Sequence, residues 1–339
     1  MHIDGGLTTL ELSRVPAAAR DLEALGYDGL FTFEGKGDPF LPLVLAAEHT
    51  ARVALGTAVA IAFPRSPMHL AYLAHDLALQ SRGRFILGLG AQIRTHVEKR
   101  FSAVYDHPVA RMRELVLALR AIWACWYDGA RLDFRGEFYR HTLMTPIFEP
   151  VPNAFGPPPV YLAGVQPRMV AVAGEVADGF IVHPFNSRRF LERDLLPALA
   201  RGRARAGRAP AAVAVMAQAL VAVGCDDAER ELAATMVRGQ LAFYASTPAY
   251  RPVLEAHGWG PLQEELHGLS KRGEWAAMGE RISDEMLATF AAVGAPEDIP
   301  AQIRARYGGL ADRVMLVHYA SLHGEARERW AAMLGALRG

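Results

Sequence analysis

The chain has 339 residues, of which 51% are hydrophobic, with 36 basic side chains against 36 acidic ones and only two cysteines. That apolar share is ample for a packed core and excludes a disordered chain, while a formal net charge of zero leaves no electrostatic footprint for nucleic acid or an anionic membrane. Cys125 and Cys225 are too few and too far apart for a disulfide framework or a thiolate zinc site.

In chain order, short apolar runs alternate with longer amphipathic ones. Residues 2–7 read as a first strand and 10–25 as a helix closed by Gly26. A second strand is expected at 27–34 and a helix at 42–49. The run 53–63 reads as one long strand, followed by a helix at 68–80. Residues 85–90 form a buried strand ending in glycine, and 111–127 a long helix. The fifth strand, 160–164, leads into a helix reaching Gly174. The sixth strand is 179–183, with a helix at 188–206. The seventh is 213–224, with a helix at 226–244. The eighth is 314–318, before a final helix. Lysine occurs only at positions 36, 99 and 271; we treat this arginine bias as genomic background.

Eight apolar strands alternating with helices point to βαβ units and a parallel sheet. In a chain of this size that count fits a closed (β/α)8 TIM barrel better than an open sheet. The expected organisation is one domain over 1–339, with two insertions in barrel loops. Residues 128–159 are rich in proline and aromatics. Residues 248–298 hold helical pieces such as 281–292. No run of about 18 apolar residues exists to span a membrane. Met1–Gly6 lacks a charged region leading into an apolar stretch, so a cytoplasmic protein is expected.

The best-known site motifs are absent. There is no G-x-x-x-x-G-K-[ST] and no G-x-S-x-G. Gly88-Leu89-Gly90-Ala91-Gln92-Ile93 misses the third glycine of a dinucleotide fingerprint. The dispersed histidines offer no metal series, so no metal is expected. Candidate residues therefore come from the C-terminal strand ends, where barrel enzymes place their chemistry: Glu34; Ala58, Val59 and Ala60; Gly90, Ala91 and Gln92; Gly164, Val165 and Gln166; and His183. Small residues at several of these ends leave room for a flat ligand against bare backbone. Glu34 and His183 are the titratable groups facing that room. Gln92, His96 and Lys99 or Arg100 have the spacing of one helix face that could meet an anion.

Three ordered motifs carry a family resemblance: Val53-Ala54-Leu55-Gly56-Thr57-Ala58-Val59, then Arg65-Ser66-Pro67, then Ser81-Arg82-Gly83-Arg84-Phe85-Ile86-Leu87-Gly88-Leu89-Gly90. Pro159-Val160-Tyr161-Leu162-Ala163-Gly164 and Ala177-Asp178-Gly179-Phe180 agree with them. Together they resemble the bacterial luciferase-like superfamily of flavin- and deazaflavin-dependent barrel enzymes. The stretch from Gly90 to Phe101, with His107-Pro108 and Arg111-Met112-Arg113-Glu114, is similar to the branch that uses coenzyme F420, although that branch often carries Trp where Tyr105 stands here.

The resemblance implies a non-proline cis peptide at Ala58–Val59, forming a bulge behind the cofactor ring. It implies that Gly164-Val165-Gln166, with help from Arg168, hold the cofactor's phosphate-bearing tail. A helix N-terminus beside glycine suits an anion, and Arg65 and Arg94 would welcome a polyanionic tail. The implied function is an F420-dependent oxidoreductase moving a hydride between deazaflavin C5 and a small organic substrate. The expected proton-moving residues are His183 and Glu34, then His96. FMN is the alternative cofactor, in an FMN-dependent monooxygenase; a non-catalytic flavin- or deazaflavin-binding protein is the third reading. A homodimer with a small-molecule substrate is expected.

Overall fold

The structure, a computed structural model, describes residues 1–8, 11–320 and 323–338. Eight parallel strands close into a barrel: β1 (His2–Gly6), β2 (Gly29–Thr32), β3 (Ala54–Thr57), β4 (Phe85–Gly90), β5 (Val160–Gly164), β6 (Gly179–Val182), β7 (Ala214–Val223) and β8 (Arg313–His318). Each pairs with the next, and β8 returns to β1 with Val314 opposite Ile3. The helices that follow them are α1 (Val15–Leu25), α2 (Leu41–His49), α3 (Pro67–Gln80), α4 (Pro108–Asp128), α5 (Pro167–Val176), α6 (Leu196–Arg205), α7 (Asp227–Ala245) and α8 (Gly324–Arg338). The expected (β/α)8 architecture is borne out. The helix start expected at Leu10 lies outside the described residues.

Local chemistry sets the helix ends. Gly26, at φ +112, caps α1 in the left-handed region and donates to Glu23 and Leu22 carbonyls. The Ser66 hydroxyl accepts from the His69 N–H at the start of α3, and Asp226 caps α7 by accepting from the Glu229 N–H at 2.8 Å. Asp227 and Glu229 place negative charge in that first turn, where the helix dipole favours it. On the outer side of the barrel the apolar strand residues pack under the helices. Trp330 of α8 donates its indole N–H to Tyr27 Oη at 2.9 Å, tying the last helix to the entry of β2.

Alternate residues point inward. Asp4, Phe31, Ile86, Tyr161, Ile181, Met216, Arg313 and Met315 are all buried. The barrel floor is a bidentate ion pair, with Arg313 donating to the two Asp4 oxygens at 2.8 and 2.5 Å. Gly29 is required beside it, because a Cβ there would sit 2.5 Å from Asp4 Oδ1. Burial drives the Asp4 carboxyl upward against the opposing pull of Arg313.

Two expectations are corrected. The run 53–63 is not one strand: it breaks into β3 and a two-residue strand, Ala60–Ile61, which pairs with Leu89 and Gly90. The residues 281–292 are not one helix. A helix covers Asp284–Phe290, and Ala291–Gly294 then forms a parallel strand on Leu220–Val223. The reason lies in β7, which has ten residues whereas β6 has four and ends opposite Ala217. The upper edge of β7 is left unpaired, and the insertion fills it. The other insertion holds a short antiparallel pair, Phe134–Arg135 with Arg140–His141, and a helical turn at Pro146–Phe148. Among the described residues no helix is long and apolar enough to cross a membrane.

Candidate active site

The C-terminal ends of the parallel strands converge on one mouth, and its rear wall is the break after β3. The Ala58–Val59 peptide bond is cis, as the resemblance implied. Hydrogen bonds from β2 clamp this bulge on both sides. The Ala58 N–H donates to the Thr32 carbonyl at 2.6 Å, and the Glu34 N–H donates to the Val59 carbonyl at 3.1 Å. Val59 packs inward over Phe31 and Ile86, and Gly90 makes room for it, because a Cβ at 90 would lie 2.6 Å from Val59 Cγ2. Gly88 is more constrained still: a Cβ there would fall 1.7 Å from the Thr57 carbonyl oxygen. Gly88 thus serves the approach of strand to strand, and Gly90 leaves space for the Val59 side chain at the mouth.

Glu34 is part of the same clamp. Its side chain is 5% exposed and accepts from Arg65 Nη1 at 2.6 Å and Nη2 at 3.0 Å, and from the Ile61 N–H at 2.6 Å. Arg65 also reaches Asp38 at 3.2 Å and lies over the Phe40 ring. Both oxygens of the carboxylate are thus held by the protein. Arg65 is occupied as well, and Arg94 pairs with Glu98 at 2.7 Å. The two arginines expected to greet an anionic tail are both already partnered.

The loop after β5 runs Gly164-Val165-Gln166 into α5. Gly164 and Val165 are half-buried and Gln166 is exposed. A Cβ at Gly164 would press on Met169 Cγ at 3.0 Å. Gln166 is the N-cap residue but makes no side-chain cap bond; its amide instead donates to the Ala249 carbonyl at 2.6 Å. Pro167 has no N–H and the Met169 N–H donates to the Gln166 carbonyl at 3.0 Å, so the Arg168 N–H is the one donor of the first turn of α5 without an acceptor among the described residues. Arg168 is exposed and has no carboxylate partner among the described residues.

His183 follows β6. Its Nδ1 accepts from the Phe185 N–H at 3.1 Å, which assigns the ring proton to Nε2. Nε2 lies 3.2 Å from Tyr250 Oη. The imidazole stacks on Tyr250 at 4.6 Å and meets the edge of Tyr244 at 4.7 Å. Burial among these rings pushes its pKa down to about 3 and that of Tyr244 up to about 12. Tyr244 accepts from the Gln240 amide at 2.8 Å, and Gln240 in turn accepts from Tyr319, which follows β8. The two tyrosines escaped the sequence reading. Tyr250 lies in an insertion without a motif and Tyr244 near the end of a helix, and the one available signal was the aromatic density from Phe243 to Tyr250.

The remaining candidates follow β3 and β4. Ala60 is fully buried in the ladder opposite Leu89, facing the outer core. Ala91 is half-buried at the end of β4. Gln92 adopts φ +57 and precedes a helix that covers only Arg94–Lys99. The helix face expected to unite Gln92, His96 and Lys99 or Arg100 therefore does not form, and Gln92 and His96 are exposed. Among the described residues no group of three or more His, Cys, Asp or Glu side chains comes together to hold a metal.

The donor set fits a flat ring with an anionic tail: a wall of small residues at Ala58, Val59 and Ala163, beside bare backbone at Gly164 and an uncapped helix start. The sequence profile of luciferase-like monooxygenases matches residues 1–313, and the chain belongs to that family of oxidoreductases. An uncharacterized protein of Mycobacterium tuberculosis is 52% identical over 95% of this chain and 94% of its own length. An F420-dependent glucose-6-phosphate dehydrogenase of Intrasporangium calvum is 27% identical over 87% of this chain and 85% of its own. Among solved structures, the coenzyme F420 dependent tetrahydromethanopterin reductase from Methanopyrus kandleri superposes with a TM-score of 0.77 at 18% identity, covering 99% of this chain and 97% of that one.

Proposed function

We propose that the chain is an F420-dependent oxidoreductase acting on a small organic substrate. The observation that carries the reading is the clamped Ala58–Val59 bulge facing a mouth whose adjoining loop, Gly164-Val165-Gln166, leads into an uncapped helix start. When bound, the deazaflavin supplies hydride chemistry at ring carbon C5. Every other task falls to this chain. Ala58 and Val59 back the ring, with Ala163 and Gly90 keeping the mouth open. Gly164, Val165, Gln166 and Arg168 hold the charged tail through backbone N–H groups and one guanidinium. The matching proton is handled on the side of His183 and Tyr250, since Glu34 is committed to Arg65 and Ile61.

Titration of the purified protein with F420 and with FMN tests this reading. Saturable F420 binding, at least tenfold tighter than FMN, is expected. Tighter FMN binding with oxygen uptake would make the protein a flavin monooxygenase. Binding of either group with no substrate-dependent turnover across a panel of alcohols and ketones would make it a carrier. His183→Ala should lower turnover far more than cofactor affinity; equal loss of both would reduce the imidazole to a structural prop. We also propose a cytoplasmic homodimer, which light scattering and cell fractionation can check.

A further inference from the structure

The imidazole and the phosphate-loop side of the mouth are tied to one short segment, the turn Pro248–Tyr250 that opens the second insertion. Gln166 holds it through the Ala249 carbonyl, and His183 holds it through Tyr250. The hydrogen-bond directions around that second contact are determined. Because the Phe185 N–H occupies Nδ1, the imidazole can only donate from Nε2, and Tyr250 Oη can only accept from it. The phenol's own hydrogen then has no acceptor among the described residues, and the side chain is half-buried.

We propose that Tyr250 presents the exchangeable proton at the mouth and that His183 stands behind it as a fixed N–H donor. The assignment rests on the oxidoreductase reading only for the identity of the acceptor, a substrate oxygen. In the forward step the Oη–H bond breaks, its electron pair stays on Oη, and the proton passes to that oxygen. The phenolate left behind accepts from His183 Nε2–H and is reprotonated by water; the reverse direction runs the same steps backward. His183 stays neutral throughout, as its packing on Tyr244 and Tyr250 favours; burial raises the Tyr250 phenol, so the phenolate forms only in passing. The titratable groups around the pair are Tyr244, which touches the imidazole edge, and Tyr319, which reaches Tyr244 through Gln240. No charged side chain pairs with either member among the described residues.

The device has readouts that need no substrate. In protein labelled with 15N in its histidine rings, His183 should show a protonated Nε2 and an unprotonated Nδ1 from pH 5.5 to 8.5. A second measurement uses 3,5-difluorotyrosine installed at position 250 and titrated by 19F NMR. His183→Ala should make that phenol about tenfold weaker as an acid, the size of a hydrogen bond to a charged group. His183→Gln, which keeps an N–H donor, should restore most of the difference. Tyr250→Phe should leave F420 and FMN binding within about twofold. An imidazolium or an Nδ1–H tautomer at neutral pH would overturn the proposal, as would a phenol whose acidity ignores His183. A tenfold loss of cofactor binding in Tyr250→Phe would also overturn it, by making Tyr250 a prop for the turn. Failure of the wild-type protein to bind either cofactor would sink the oxidoreductase reading instead, and the tautomer and the phenol titration would still decide the pair.

Discussion

Glu34 shows how much a residue's role depends on its partners. In the sequence it is a lone acid at a strand end, equally suited to moving a proton or to bracing a loop. In the structure both oxygens are held by Arg65 and the Ile61 N–H, and the residue's own N–H holds Val59. Its work is to keep the bulge in place. Glu34→Gln should therefore lower stability by about 3 kcal/mol, because it leaves a largely buried guanidinium short of a charge partner, and it should weaken cofactor binding in parallel. Chemical denaturation and a cofactor titration check this together. Turnover lost with stability and binding intact would instead return Glu34 to the role of proton donor.

At the scale of elements, the contact between β3 and β4 is the tightest seam near the mouth. Thr57 Oγ1 donates to the Gly88 carbonyl at 2.6 Å and accepts from the Gly88 N–H at 3.0 Å. Gly88→Ala would drive a methyl into the Thr57 carbonyl, so a loss of about 3 kcal/mol or more is expected, visible as a lower unfolding midpoint or loss of soluble protein. The β5–α5 turn responds differently. At Gly164 the nearest atom is the flexible Met169 side chain, so Gly164→Ala should fold normally. Gly164→Glu adds bulk and negative charge where an anion is proposed to sit, and should abolish cofactor binding with little change in stability. An unchanged titration curve would remove this turn from the binding site. Both glycines belong to strands whose apolar runs are legible in the sequence. Which glycine meets carbonyl oxygen and which meets a movable side chain was not, because that depends on the register between strands far apart in the chain.

At the scale of the molecule, two half-buried imidazoles steepen the acid limb of stability. His183 is pushed down to about 3 and His318, packed on Trp330, to about 4, in both cases by burial. An unfolded chain takes up these protons near pH 6.5 while the folded one does not. The folded state is therefore favoured above that value and loses ground as the pH falls toward 4 and then 3, by up to about 1.4 kcal/mol per pH unit for each imidazole. His318→Phe should flatten that limb between pH 6.5 and 4 in urea unfolding series. An unchanged slope would show that His318 titrates alike in both states.

The barrel, its strand order and the family were readable in the linear chain. Alternation of apolar runs at strand and helix lengths is local, and so are the Gly-Thr, Arg-Ser-Pro and Gly-Leu-Gly motifs. What only the tertiary structure decided is partnership: Arg65 with Glu34, Tyr250 with His183, Gln166 with Ala249, and the strand Ala291–Gly294 filling the free edge of β7. Each joins residues that are remote in sequence and meet because the sheet closes on itself. Hydrogen-bond direction, and with it the choice of proton donor, follows from which groups meet.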